Sequence, residues 1–284
     1  MSQQFDPELH RQMGVEADVV LRVGMLLMGA GTSGYRVLRG MKRSARALGF
    51  DHLDATVGLT QITCTFHRGE YFRTVIARQH SPAVDASRIE ALEDLTHNRL
   101  YAGITAQELA AMLDVIEFGV KKRWSGLVLS FAAAIACAAF AYLNFFPLEA
   151  VGLVALAAFA GQFVRYTVLH RHVHQIGGVI AGGATASIVF FLLTAFFGAI
   201  GSVDPSELSS GVVAAVLFLI PGFPLFSALI DIARFDLDAG IVRLGYAFTV
   251  IFTATFTVSM VSWLTQLTPD PVSYTHLRAH ETRG

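Results

Sequence analysis

Lys121-Lys122-Arg123-Trp124-Ser125-Gly126-Leu127-Val128-Leu129-Ser130-Phe131 is where the chain changes character. Three cations give way to an apolar run, and the contrast extends far in both directions. Residues 1–123 hold 15 basic and 14 acidic side chains, roughly a quarter of the segment, as in a water-soluble domain. Residues 124–268 hold only Arg165, Arg171, Arg234 and Arg243 against Glu149, Asp204, Glu207, Asp231, Asp236 and Asp238. So few charges between long apolar runs is membrane composition. The expected fold is an α-helical integral membrane protein of about five transmembrane helices with an N-terminal cytoplasmic α+β domain.

The whole-chain figures average these two halves: 284 residues, 54% hydrophobic, 15% charged, mean hydropathy +0.53. Disorder is excluded by that hydrophobicity. A net charge of −1 argues against a nucleic-acid partner. Cys64 and Cys137 fall in segments of opposite character, so no disulfide framework is expected. Residues 1–12 are polar and acidic, without the apolar core of a secretory signal.

Apolar runs place the spans at Trp124–Phe146, Leu148–Val164, Ile176–Ile200, Leu208–Ile230 and Leu244–Leu267, the second of them short. Basic residues stand at alternate connections: Lys121 to Arg123 before the first span, Arg165 and Arg171 after the second, Arg234 and Arg243 after the fourth. The connections at Asn144–Glu149 and Ser202–Glu207 carry none. This is the positive-inside pattern, and it puts the N-terminal domain in the cytoplasm.

Within that domain, Pro7–Met28 has helical periodicity, with Val15, Val19, Val23 and Leu26 or Leu27 on one face. Ser33–Leu48 reads as a basic amphipathic helix stopped by Gly49. Asp54–Phe66 and Tyr71–Ala77 read as two strands joined by a polar turn at His67–Glu70. Ala86–Asn98 and Thr105–Arg123 read as helices, the second opened by a Thr105/Glu108 capping box and running into the membrane at Trp124.

Several patterns invite a chemical reading. Gly29-Ala30-Gly31-Thr32-Ser33-Gly34 has dinucleotide-loop spacing, but a helix rather than a strand precedes it, so a turn between helices is the better account. His170 and His174 would share a face if the segment were helical, yet no Cys or carboxylate lies close by to complete a metal site. His52, His67, His80 and His97 have acids around them but no nucleophile or metal spacing, so no enzyme, cofactor or metal is expected. Gly178 and Gly182, and Gly126, Ser130 and Ala134, are small-residue stripes that serve close helix packing or self-association.

The most informative stretch is Leu219-Ile220-Pro221-Gly222-Phe223-Pro224-Leu225-Phe226-Ser227-Ala228-Leu229-Ile230-Asp231. Two prolines in mid-span remove donors and would free the carbonyls of Leu217 and Ile220. Broken helices at mid-membrane are where secondary transporters bind substrate. Asp231 follows as an acid able to carry a proton or pair with Arg243.

Together these pieces resemble the threonine/serine exporter family. The matching residues are Gly29-Ala30 with Arg36-Val37, Ala47-Leu48-Gly49, the strand pair across Gly69, Pro221-Gly222-Phe223-Pro224-Leu225, Ala228, Asp231 and Gly240-Ile241-Val242-Arg243, with Arg171-His172-Val173-His174 as a basic loop. Ser227 departs from the family's frequent Asn, and Leu38 from its common acid. The resemblance implies a cytoplasmic domain (residues 1–123), a transmembrane domain (124–268), and a second membrane module carried in the same chain or supplied by a partner subunit. Residues 269–284 are polar, unlike anything before them, and resemble translated read-through rather than native protein.

The resemblance thus implies a bacterial inner-membrane exporter of a small-molecule substrate, threonine or serine, driven by the proton gradient. Dicarboxylate (succinate) efflux and a membrane-anchored sensor or assembly role are the alternatives. The substrate would meet Pro221, Gly222, Pro224, Ser227, Asp231 and Arg243.

Overall fold

A computed structural model describes residues 7–79, 84–120, 124–171, 173–200 and 211–265. Lys121 to Arg123, His80, His172, the Ser202–Glu207 connection and the 269–284 tail lie outside the described residues. The chain divides into two compact units, one drawn from residues 1–123 and 222–247, the other from 124–221 and 248–284.

In the first unit, α1 (Pro7–Gly29) and α2 (Gly34–Ala47) pack on a three-stranded antiparallel sheet. Its strands are β1 (His52–Val57), β2 (Gln61–Arg68) and β3 (Tyr71–Arg78), in that order across the sheet. Where two strands were expected there are three. Gly58 turns the chain inside the long β-rich run, its N–H donating to the Gln61 carbonyl at 2.8 Å. Leu53 pairs with Phe66, and Ile62 with Val57, so alternate side chains of β1 and β2 point into one core. α1 buries Met13, Ala17, Val20, Val23 and Leu27 there, while Val15 is half exposed. The face expected from periodicity is therefore rotated, because Val15 and Met13 are both apolar and only the packing partner decides between them.

α3 (Ala86–Asp94) continues as a π-helical turn, Leu95–Arg99, and α4 (Ala106–Gly119) closes on α1. Thr105 Oγ accepts from the Glu108 N–H at 3.2 Å, and Glu108 Oε2 accepts from the Thr105 N–H at 2.9 Å: the expected capping box. The expected single helix into the membrane is not formed: α4 ends at Gly119, and a new helix starts at Gly126 with Ser125 as its N-cap.

The second unit holds α5 (Gly126–Leu143), α6 (Leu148–His170), α7 (Gln175–Ala199) and α8 (Gly211–Ala215), followed by a 3-10 turn at Leu217–Leu219. α6 is not short: it continues through Arg165 to His170. The remaining helices are α9 (Gly222–Ala233) in the first unit and α10 (Leu237–Thr265), within which the unit boundary falls. Among the described residues, four helices are long and apolar enough to cross a membrane: α5, α6, α7 and α10. The expected span at Leu208–Ile230 is not one helix but α8, a 3-10 turn and α9, and its first three residues lie outside the described ones. The last span begins seven residues earlier than expected, so Arg243 stands inside a helix rather than in a loop.

Candidate functional site

The interruption has a local cause. Pro221 cannot donate to Leu217, and the chain leaves helical geometry at Val216. The Leu217 carbonyl does not stand free as expected, since the Ile220 N–H donates to it at 3.1 Å. The Phe218 carbonyl accepts from Arg165 Nη1 at 3.3 Å. Pro224 does not kink a helix either. It occupies the first turn of α9, where its missing N–H has no intrahelical partner to lose.

α9 then turns one face inward, carrying Ser227, Ala228 and Asp231, while Phe226, Leu229 and Ile230 point outward. A tight turn follows. Phe235 takes φ 62° and the Asp236 N–H donates to the Asp231 carbonyl at 3.0 Å. α10 folds back against α9 because residue 240 is glycine: a Cβ there would lie 3.2 Å from the Ala228 carbonyl oxygen and 3.1 Å from the Ile232 nitrogen. Gly240 and Arg243 are three apart, so they share a face of α10. That close approach brings Arg243 onto Asp231.

The two charges are deeply buried, Asp231 at 0% exposure and Arg243 at 3%. Arg243 Nη1 donates to Asp231 Oδ2 at 2.9 Å. Oδ2 also accepts the backbone N–H of Gly34 at 3.2 Å, and the Tyr35 amide lies beside the carboxylate. Gly34 and Tyr35 open α2, so a carboxylate here meets unpaired donors and the positive end of a helix dipole. Oδ1 of Asp231 is buried and accepts no hydrogen bond among the described residues. Asp236 lies close to the same helix start, its Oδ2 3.1 Å from where a Gly34 Cβ would be. Arg234 covers the face of Tyr35 with its guanidinium 3.8 Å from the ring centre.

Of the six residues expected to meet substrate, the structure joins Asp231 to Arg243 and sets Ser227 one turn away on the same face of α9. Gly222 and Pro224 are not brought to the pair: about 10 Å of helical rise separates even Pro224 from Asp231, and Pro221 belongs to the second unit. Sequence reasoning missed Gly34 and Tyr35. Gly34 closes the glycine-rich turn, and Gly29-Ala30 and Arg36-Val37 flank it; those residues were family matches with no role attached.

The histidines do not gather as a shared helical face requires. His170 ends α6 with its ring against Tyr166 at 3.9 Å, and His174 caps α7 by accepting the Ile176 N–H at 3.3 Å.

Comparison with known proteins bears on the same residues. Over 255 residues the chain is 22% identical to a protein of Escherichia coli (strain K12) named Probable succinate transporter subunit YjjP, covering 86% of this chain and 92% of that one. A protein of the same name from Klebsiella aerogenes is 23% identical over 208 residues, covering 72% of this chain and 76% of its own. No solved structure matches. The sequence profile of the threonine/serine exporters, ThrE, matches residues 18–265. It thus takes in the glycine-rich turn, the interrupted segment and the Asp231–Arg243 pair, and the chain belongs to the threonine/serine exporter family.

Proposed function

We propose that this chain is the larger subunit of a two-part secondary exporter, with the second membrane module supplied by a partner. Its place is the inner membrane of a bacterium, its N-terminal domain is cytoplasmic, and the interrupted segment from α8 to α9 makes a fifth crossing. The cargo is a small carboxylate-bearing metabolite, threonine or serine first, moved outward at the expense of the proton gradient. One observation carries this reading: a buried acid–base pair, Asp231 with Arg243, follows directly on an interrupted apolar segment in a chain of an exporter family. Arg243 meets the substrate carboxylate, and Asp231 takes the proton or the ammonium group. Ser227, one turn along α9, offers a hydroxyl to the same substrate, and the Pro221–Pro224 break is the hinge on which α9 moves.

Succinate is the second reading. It is favoured by the two relatives named as succinate transporter subunits, one of them matched over 92% of its length. The test is efflux from cells loaded with a threonine peptide and with succinate, expressing the full chain with a second-module partner. Threonine release above a partner-only control is expected. Succinate release alone moves the substrate to the dicarboxylate. Release of neither, with both proteins in the membrane, overturns the exporter reading in favour of a sensor or assembly role. Asp231→Asn is expected to abolish net efflux without preventing insertion.

A further inference from the structure

Asp231 is itself a carboxylate lodged in a carboxylate site. Its Oδ2 takes one donor from a guanidinium, Arg243 Nη1 at 2.9 Å, and one from a helix start, the Gly34 N–H at 3.2 Å. α2 has 14 residues, and its N-cap, Ser33, makes no side-chain capping bond, so the helix start spends its donors on Asp231. Charge-assisted bonds to a guanidinium and to backbone amides are what a carboxylate ligand requires. Yet the fit is incomplete: the second oxygen of Asp231 is fully buried and accepts no hydrogen bond among the described residues. A buried oxygen left that way is costly, so this arrangement is one that a better ligand improves.

We infer that the start of α2 at Gly34, together with Arg243, is a carboxylate-binding subsite that Asp231 occupies in this state and a substrate carboxylate takes over in transport. This rests on the exporter reading and deepens it. Threonine, serine and succinate all carry the group the subsite takes, so the subsite sets the class of cargo and leaves the choice within that class to other residues. Displacement also gives Asp231 its task. Once released from Arg243 and Gly34, its carboxylate is free to take the proton or the substrate's ammonium. The glycine-rich turn becomes part of the transport site rather than a connector.

Gly34 offers a clean test because it is the first residue of α2, where proline is well tolerated. Ser33 before it is already extended, φ −63° and ψ 152°, as a residue preceding proline must be. Gly34→Pro deletes the N–H, and Gly34→Ala, which keeps the N–H and places the same Cβ 3.1 Å from Asp236 Oδ2, is its reference. The purified full chain in detergent is titrated with L-threonine, L-threoninamide and succinate, and the melting temperature is followed. Saturable stabilisation by threonine or succinate is expected, and none by threoninamide. In an Asp231→Asn background, where no carboxylate of the chain competes for that N–H, Gly34→Pro should bind the same carboxylate about tenfold more weakly than Gly34→Ala, the worth of one bond to a charged group. Asp231→Asn, which removes the competing charge, should bind it about tenfold more tightly than wild type.

Equal binding by the proline and alanine variants in the Asp231→Asn background overturns the subsite, as does unchanged or weaker binding by Asp231→Asn alone. If the proline variant does not fold, the Asp231→Asn titration decides alone. Carboxylate binding with no efflux in cells leaves the subsite standing and sinks the exporter reading. Efflux with no carboxylate stabilisation of any variant does the reverse.

Discussion

The two units bury opposite kinds of side chain. The core of the first is built on large side chains: Met13, Leu27, Met41, Ile62, Phe66, Leu92, Leu109 and Leu113 are all fully buried. The core of the second is mostly small: Ala141, Ala150, Ala157, Ala158, Ala214 and Ala215, with Cys137 and Phe190 among them. Many of its large apolar residues face outward instead, as Phe131, Ile135, Leu156, Leu192 and Phe196 do. Water drives big side chains inward, because burying their area is worth about 25 cal/mol per Å². Lipid provides no such drive, so helices associate by close backbone approach, and small residues permit it. At the α6–α7 contact, a Cβ on Gly161 would stand 2.7 Å from the Gly182 carbonyl, and one on Gly182 3.1 Å from the Gly161 carbonyl. The same chain thus follows two packing rules, and each rule fails under a different kind of substitution.

The largest effect should come where the first unit departs from its own rule and buries charge. Arg243→Leu leaves Asp231 fully buried without its counter-charge, and breaking such a pair costs about 3–5 kcal/mol. The double variant Asp231→Leu/Arg243→Leu removes both charges and should recover most of that loss. Thermal unfolding of the purified protein in detergent checks both. A double variant no more stable than the single one would mean that the loss does not come from leaving the Asp231 charge buried and unpaired.

Next come substitutions that set the two rules against each other. Leu109→Ala empties part of the first core and should cost about 2–5 kcal/mol. Leu156→Ala, an equal truncation on the outer face of α6, should cost less than about 0.5 kcal/mol. Enlargement tests the second unit's rule within that unit. Gly182→Ala drives a methyl group against the Arg165 Cβ at 2.9 Å and the Gly161 carbonyl, and should cost about 1–3 kcal/mol. Gly152→Ala, on the same pair of helices but with nothing within 4 Å, should be neutral or slightly stabilising. If all four variants melt alike, the units do not follow different packing rules.

Much of this contrast was legible in the sequence, because solvent selects composition locally. Lys121 to Phe131 marks the change, and α5, α7 and the Thr105 cap start within two residues of where they were expected. What was misread depended on distant partners. Arg165 reads as the end of a span because the apolar run stops before it; it sits inside α6, where the Phe218 carbonyl, 53 residues on, accepts from it. Arg243 likewise reads as a loop residue, and Asp231 makes its helical position tolerable. Proline was read as a break in the middle of a helix, whereas Pro224 lies in the first turn of a new one. Gly34 was beyond reach altogether: its partner is 197 residues away, and an amide N–H leaves no mark in the sequence.

Thr105→Ala should give the smallest effect, and its size tests whether the first unit is an ordinary water-soluble fold. Losing the Thr105 Oγ deprives the Glu108 N–H of its acceptor and Glu108 Oε2 of a 2.9 Å donor, while the Thr105 N–H still donates to that oxygen. N-cap replacements of this kind cost about 1 kcal/mol in soluble domains. The cost should also depend on pH. The Thr105 amide, followed by its hydroxyl, holds the Glu108 carboxyl below the usual range, so the carboxylate is favoured in the folded state. A depressed carboxyl adds stability above its unfolded pKa of about 4.3 and loses it as pH falls through the folded value. The gap between wild type and Thr105→Ala should therefore be widest near neutral pH and narrow as pH falls through the depressed folded value, below which Glu108 is protonated in both. Unfolding measured on either side of that value separates the outcomes. A gap that does not narrow assigns the cap's worth to the Glu108 N–H bond alone. A gap of zero at neutral pH would mean that α4 is held by its buried face, through Leu109 and Leu113, with the capping box adding nothing measurable.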